Sequence, residues 1–439
     1  MNVTFVYPEV PDLGRLGSGR KEFPPFGVLY LAAVAEEYGH TVELIPVRED
    51  TKSLDLTASD FVGYSVASSA TFSLLSRIHR RSTYQDRAAV LIGGVHVNLY
   101  PEQSLREFPA AFAGVGPFEK SLEGTIQAAQ DRRQLAALPN VAHLDSAGRY
   151  HAGQPAGEAS MAELPFPARH LLSDDRVVMT DRLAGTDLRM AHVLFSRGCP
   201  FKCKYCAVAG SQIHYQSGAR AREELVDLSR RTAIDGFAIV DDNFIVNRHR
   251  VADIAREIEP LGLRWSALSR VDTVRRDLLG ILADSGCIEL KFGIESGSEP
   301  LLRAMGKRTT KEQITNAVRW ASAVGIGVKA FLIHGFPGES ATTTRETIRL
   351  LDTLEGRIDR LSLFRFVPLP GTEVYERWKD YDIHGTHYAP DWDGDWSKFH
   401  IHHNHRQWWG GPKEFSDLES AYLELAAYVS ERWPDAAPE

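Results

Sequence analysis

Along the first 130 positions, apolar residues come in short runs separated by stretches of helical period. Asn2–Tyr7, Thr41–Pro46, Asp60–Val66 and Ala88–Gly93 each read as a strand, and Gly27–Tyr38 as a helix rich in alanine, leucine and valine. Strands alternating with helices predict an open parallel α/β sheet, whose ligands sit at the carboxyl ends of the strands. Ser65, Ser68 and Ser69 follow one such end, and Gly93, Gly94 and His96 follow another.

The pattern weakens over residues 136–190, where Leu164-Pro-Phe-Pro-Ala-Arg-His170 reads as a strap, and this stretch is assigned as a linker. A second alternation then begins. Strands are predicted at 192–196, 236–240, 263–269, 288–294, 326–333 and 361–367. Helical patterns lie between them at Arg222–Ala233, Arg248–Ile258, Leu278–Asp284, Lys311–Ala323 and Thr343–Leu354. Six β/α repeats predict an incomplete, TIM-like (β/α)6 barrel, whose polar groups gather on the loops after the strands. Asp241, Ser269, Arg270, Glu295, Ser296 and His334 all fall there. The expected domains are thus 1–135, an open Rossmann-like sheet, 191–375, the barrel, and 376–439, a cap rich in histidine and tryptophan that ends in a helix over Glu414–Arg432.

Composition adds exclusions. The chain has 439 residues, 43% hydrophobic and 25% charged, with a formal net charge of −8. The acidic balance argues against an extended nucleic-acid footprint. No apolar stretch approaches the roughly 20 residues of a membrane span, and no secretory signal precedes Asn2-Val-Thr-Phe-Val. With four cysteines and no disulfide framework, a reducing, cytoplasmic location is expected.

Three of those cysteines share one loop, Ser196-Arg-Gly-Cys199-Pro-Phe-Lys-Cys203-Lys-Tyr-Cys206. Thiolates select zinc, copper or iron–sulfur clusters. A closed zinc site needs a fourth ligand, and the remaining cysteine, Cys287, lies far downstream and reads as a small core residue. Three thiolates on a [4Fe–4S] cluster leave one iron open for chemistry.

This loop resembles the signature of the radical S-adenosylmethionine (SAM) superfamily. The resemblance implies that Cys199, Cys203 and Cys206 hold the cluster, that SAM chelates the open iron, and that Tyr205 lies near the adenine. It extends over 192–371. Gly293-Ile-Glu-Ser-Gly297 is similar to a strand-end motif that contacts SAM, Val240-Asp-Asp-Asn-Phe244 to the Asp-rich variant of cobalamin-associated members, and Ser269-Arg270 would set a cation against the SAM carboxylate. Asp241, Ser296 and His334 complete the implied SAM contacts.

The first domain resembles the cobalamin-binding domain that precedes this core in cobalamin-dependent radical SAM enzymes. The match implies cobalamin contacts from Ser65, Ser68, Ser69, Gly93, Gly94, His96 and, where the usual acidic stretch reads Gly116-Pro-Phe-Glu119, from Glu119. The Asp-x-His-x-x-Gly motif of histidine-ligated cobalamin proteins is absent, so no lower histidine ligand is expected. The implied activity is methylation of an unactivated carbon in a small molecule, with an external flavodoxin- or ferredoxin-type electron donor. One SAM would methylate cobalt and a second would generate the substrate radical. The rivals are a non-methylating radical reaction and, from another class, a cobalamin-binding sensor.

Overall fold

The computed structural model describes residues 1–9, 24–129, 131–183, 185–381, 396–399 and 412–434. The chain divides into two compact units, with the change from one to the other between Val177 and Val178.

The first unit is built on a seven-stranded sheet. Its strands are β1 (Asn2–Pro8), β2 (Thr41–Val47), β3 (Phe61–Ser65), β4 (Ala89–Gly93), β5 (Phe112–Gly114), β6 (Val141–Leu144) and β7 (Tyr150–His151), ordered β2-β1-β3-β4-β5-β6-β7. Pairing from β2 through β5 is parallel, and β5–β6 and β6–β7 are antiparallel. Helix α1 (Phe26–Glu37) is apolar nearly all round, because Val28, Leu29, Tyr30 and Ala32–Ala35 are buried. The four strands predicted here are all present within two residues of their expected ends. Part of the stretch expected to be a linker instead supplies β6 and β7, whose few residues are too short to show a period.

The second unit is a curled sheet in sequence order: β8 (Val178–Leu183), β9 (Thr186–Val193), β10 (Gly236–Ile239), β11 (Arg264–Ser269), β12 (Cys287–Glu295), β13 (Gly327–His334) and β14 (Arg360–Arg365). The six strands from β9 are mutually parallel, and β8 adds an antiparallel edge through a hairpin, another departure from the expected linker. This is the partial barrel. Helices α2 (Gly218–Arg231), α3 (Arg248–Ile258), α4 (Arg276–Asp284), α5 (Lys311–Ala323) and α6 (Ala341–Thr353) alternate with the strands.

Side-chain caps fix the starts of several of them. Asn247 caps α3, Thr310 with Gln313 forms a capping box on α5, and Ser340 with Thr343 does so on α6. Between sheet and helices lies a layer of fully buried residues, Phe237, Trp265, Leu290, Phe292, Val328 and Leu332. Helix α7 (Pro412–Arg432) packs on α6 and β14, with Trp433 Nε1 donating to the Ile358 carbonyl at 2.8 Å.

Candidate active site

The cysteine loop begins just beyond β9. Its ends are tied by an antiparallel pair, Ser196↔Tyr215 and Arg197↔His214. Gly198 sits at φ +93°, and a Cβ there would lie 2.0 Å from the Gln212 carbonyl oxygen, so only glycine fits. Inside the loop, Ser211 Oγ accepts from Cys199 N at 2.9 Å, and Cys206 N donates to the Cys203 carbonyl at 3.1 Å. Lys204 N donates to the Met305 carbonyl at 2.9 Å.

Two strand ends anchor the loop. Asp241, fully buried after β10, accepts from Phe195 N at 2.7 Å and from the Ser196 hydroxyl. Arg250 lies 3.8 Å from the same carboxylate and donates to the Phe195 and Gln216 carbonyls. Burial pushes Asp241 up to about 6. The adjacent Asp242 accepts from Gly198 N at 2.8 Å. Asp241 therefore clamps the loop through bonds to its backbone and to the Ser196 hydroxyl.

Arg270, after β11, is buried and donates through Nη1 to Cys203 Sγ at 3.1 Å. Its guanidinium lies 4.0 Å from the Phe201 ring centroid. The fork expected to meet a SAM carboxylate is taken by Asp272, with Nε and Nη2 at 2.9 and 2.8 Å, and Nη2 also donates to the Lys307 carbonyl at 2.8 Å. With four of its five N–H groups so engaged, the guanidinium is a positioning group for the cysteines. Ser269 is buried beside Asn243 and Thr273, at 3.5 and 3.4 Å.

Glu295 ends β12 at φ +63°, next to a register shift opposite β13. Its carboxylate accepts from Lys307 Nζ at 2.6 Å and from the Tyr205 hydroxyl at 3.1 Å. A Cβ on Gly293 would lie 2.2 Å from Glu295 Oε1 and 2.7 Å from Lys307 Nζ, so that glycine makes room for the ion pair. Burial, with the Glu295 charge beside it, holds the Tyr205 hydroxyl well above its ordinary value. Tyr205, Arg270 and Glu295 thus surround the cysteines.

Ser296 and His334 do not join them. Ser296 Oγ lies 3.2 Å from the Thr347 hydroxyl on α6, and His334 Nε2 lies 3.1 Å from the Thr344 hydroxyl, its ring against Tyr422 of α7. Burial, with Arg365 nearby, lowers His334 to about 3. Both face the helix layer, because alternation along a strand sends every second residue away from the barrel interior. Lys307, Asp272 and Arg250 are not legible in the sequence as site residues, whereas Gly198 is, as the residue that breaks regular structure before the first cysteine.

Burial raises the Cys199 thiol and pushes Cys206 up to about 11. Thiols so disposed become thiolates only against a metal. An iron–sulfur cluster takes one thiolate per iron, and three thiolates on four irons leave one iron open. The donor set therefore fits a [4Fe–4S] cluster.

In the first unit, Ser65 and Gly93 are register partners at the ends of β3 and β4. Gly94 sits at φ +113°, where a Cβ would lie 2.6 Å from the Val66 carbonyl oxygen. His96 is fully buried, with Nδ1 2.9 Å from the Ser69 hydroxyl and Nε2 without a partner. Burial lowers it to about 4. Rings of Phe72, Tyr100 and Trp396 surround it at 4.2, 5.4 and 4.5 Å. Ser68 lies half-buried on the same loop, and Glu119 starts the helix Glu119–Gln127 that follows β5. The orphaned imidazole nitrogen and the glycine turn fit a polar ligand at this edge.

Trp396–Phe399 belongs to this first unit, not to a cap on the barrel. The rest of the histidine- and tryptophan-rich stretch, including His384, His387, His400, His402, His403 and His405, lies outside the described residues.

Residues 193–351 match the radical SAM superfamily and residues 15–126 the B12 binding domain, together more than half of the chain. The chain belongs to the cobalamin-dependent radical SAM enzymes; its cofactors are a [4Fe–4S] cluster, SAM and cobalamin. It is 29% identical to an uncharacterized methyltransferase of Pyrococcus horikoshii, across 80% of this chain and 78% of that one. It is 26% identical to the cytidylyl-2-hydroxyethylphosphonate methyltransferase of Streptomyces wedmorensis, across 80% and 77%. Its fold is that of the radical SAM methyltransferase TsrM from Kitasatospora setae, solved with cobalamin and a [4Fe–4S] cluster. The TM-score is 0.68 at 17% identity, over 99% of this chain and 89% of that one. No helix among the described residues is long and apolar enough to cross a membrane.

Proposed function

We propose that this enzyme methylates an unactivated carbon of a small-molecule substrate. The observation that carries the reading is a three-thiol loop on a half-barrel, two of its cysteines buried and the third half-buried, in one chain with a B12 binding domain. When bound, the cluster and cobalamin supply reductive cleavage of SAM and delivery of a methyl group.

The chain's own residues bind and orient. Cys199, Cys203 and Cys206 hold the cluster, and Arg270 fixes Cys203. Tyr205 and Glu295 border the SAM position, with Lys307 balancing the buried carboxylate. Ser65, Ser68, Ser69, Gly93, Gly94, His96 and Glu119 form the cobalamin side, where His96 offers the nitrogen that lacks a partner. An external donor of flavodoxin or ferredoxin type supplies electrons in a reducing cytoplasm.

The test is anaerobic reconstitution with iron, sulfide and hydroxocobalamin, followed by mass spectrometry of SAM turnover with dithionite and methyl viologen as the source of electrons. Both S-adenosylhomocysteine and 5′-deoxyadenosine are expected. Only 5′-deoxyadenosine would point to a non-methylating radical reaction, and no SAM cleavage at all would overturn the reading.

A further inference from the structure

Two acid-free stretches of the barrel unit meet at the cysteine loop. From Leu188 to Arg222 the chain holds no aspartate or glutamate, and from Pro300 to Lys311 it again holds none. Folding presses the two together. A Cβ on Gly306, at φ +72°, would lie 2.6 Å from the Lys202 carbonyl oxygen and 3.1 Å from Lys204 Cγ. The Met305 carbonyl accepts from Lys204 N at 2.9 Å. Lys202, Arg303 and Arg308 are exposed on these stretches, and Lys204 is half-buried between them and Glu373. In a chain of net charge −8, the local sign is positive.

The nearby carboxylates are already engaged. Glu299 lies 3.9 Å from Arg303 and accepts from Lys311 N at 3.0 Å. Glu373 lies 3.6 Å from Lys204 and accepts from the Tyr381 hydroxyl at 2.9 Å, and Arg377 holds Asp380. Among the described residues, the side chains of Lys202 and Arg308 have no hydrogen-bond or ion-pair partner. Arg308 also stands at φ +57°, a conformation that costs an arginine what it would not cost glycine. An exposed cation is thus kept at a strained position where packing does not call for it. This face adjoins the thiols: Lys202 and Lys204 flank Cys203, each Cα about 3.8 Å from the next, and Cys206 is the half-buried cysteine of the three.

We infer that this face docks a small acidic protein that carries one electron, and that the electron enters the cluster beside Cys203 and Cys206. The carrier is oxidised by one electron and the cluster reduced by one; no covalent bond forms or breaks. Opposite charge steers such an encounter and makes it salt-dependent, without the apolar area of a permanent interface. A nucleic acid is disfavoured by the acidic chain around the patch. The inference rests on the reading that an external donor feeds the cluster.

The full-length, cluster-loaded protein is titrated calorimetrically with oxidised flavodoxin. Its reduction by reduced flavodoxin, and separately by the methyl viologen radical cation, is followed by rapid-freeze EPR of the reduced cluster. Flavodoxin is expected to bind with an affinity that falls as KCl rises, and K202E/R308E should weaken binding about tenfold or more. The same variant should accept electrons from methyl viologen at least as fast as wild type, because its new charges attract a cation. K202R/R308K should behave as wild type. Unchanged flavodoxin affinity in K202E/R308E would overturn the inference, as would equal slowing with both donors. Should K202E impair cluster assembly, R308E and the wild-type salt dependence decide, and wild-type binding that ignores salt overturns the inference too. So would an RNA oligonucleotide that binds the wild type as tightly as flavodoxin does. Docking at this face in a protein that forms no S-adenosylhomocysteine would sink the proposed methylation and leave the docking face standing. Methylation with chemical reductant but no flavodoxin binding would do the reverse.

Discussion

Lys307 and Glu295 form an ion pair of 2.6 Å in which the two side chains are only 3% and 8% exposed. Removing one partner leaves the other charge stranded, which typically costs 3–5 kcal/mol, about what a buried pair loses when broken. K307M should lower the urea midpoint by a corresponding amount, and E295Q/K307M should recover part of it. A K307M protein as stable as wild type would show that the pair is not load-carrying at this site.

The geometry at Gly198 makes a sharper demand. G198A meets the Gln212 carbonyl and a disfavoured φ together. The variant should fold but retain little iron after anaerobic reconstitution, read as iron and sulfide per chain. A full complement would mean that the loop shifts more easily than its hydrogen bonds imply.

Cluster and cobalamin should be separable. Replacing Cys199, Cys203 and Cys206 together with alanine should abolish iron binding and 5′-deoxyadenosine formation. Hydroxocobalamin binding, followed by its visible spectrum, should stay close to wild type. Conversely, H96A should weaken hydroxocobalamin binding about tenfold, the size of one buried hydrogen bond, and leave iron content intact.

Glu339 predicts a pH dependence. It accepts from the Thr343 hydroxyl and, at 3.5 Å, from the Thr344 hydroxyl, and burial pushes its carboxyl from 4.5 up to about 7. Between those values the folded protein holds a proton that the unfolded chain releases, so this group's contribution to stability declines as pH rises through the window. E339Q removes the titration. Its stability relative to wild type should therefore climb from pH 4.5 to 7 and level off above, a gain of roughly 3 kcal/mol read from thermal unfolding at each pH. A difference that is flat with pH would rule the titration out.

Much of this was legible in the sequence. The ends of Arg248–Ile258 and Lys311–Ala323 agree with the pattern to the residue, because capping side chains and apolar period point the same way there. The cysteine loop, Tyr205 and Glu295 come together where motif spacing and strand ends coincide. His334 and Ser296 were misplaced for a physical reason: membership of a strand end does not say which face a side chain takes, and a bulge beside Glu295 shifts the register. Lys307 meets Glu295 only through folding, and nothing local announces a buried lysine; Asp272 stands two positions from Arg270, but the sequence does not say that its carboxylate takes the guanidinium fork. The edge pieces β6 and β7 hold too few residues to show a period, and the six of β8, Val-Met-Thr-Asp-Arg-Leu, do not alternate apolar with polar.

A sheet that curls without closing has two free margins, and each invites another strand to add on. Here β8 ends one of them with an antiparallel strand bearing Asp181 and Arg182. At the other, α7 lies against β14, with Glu419 gripping Arg365 at 2.5 and 2.8 Å. The C-terminal helix thus guards the final strand against intermolecular pairing, and a chain cut short before Pro412 would be prone to self-association even with every cysteine in place.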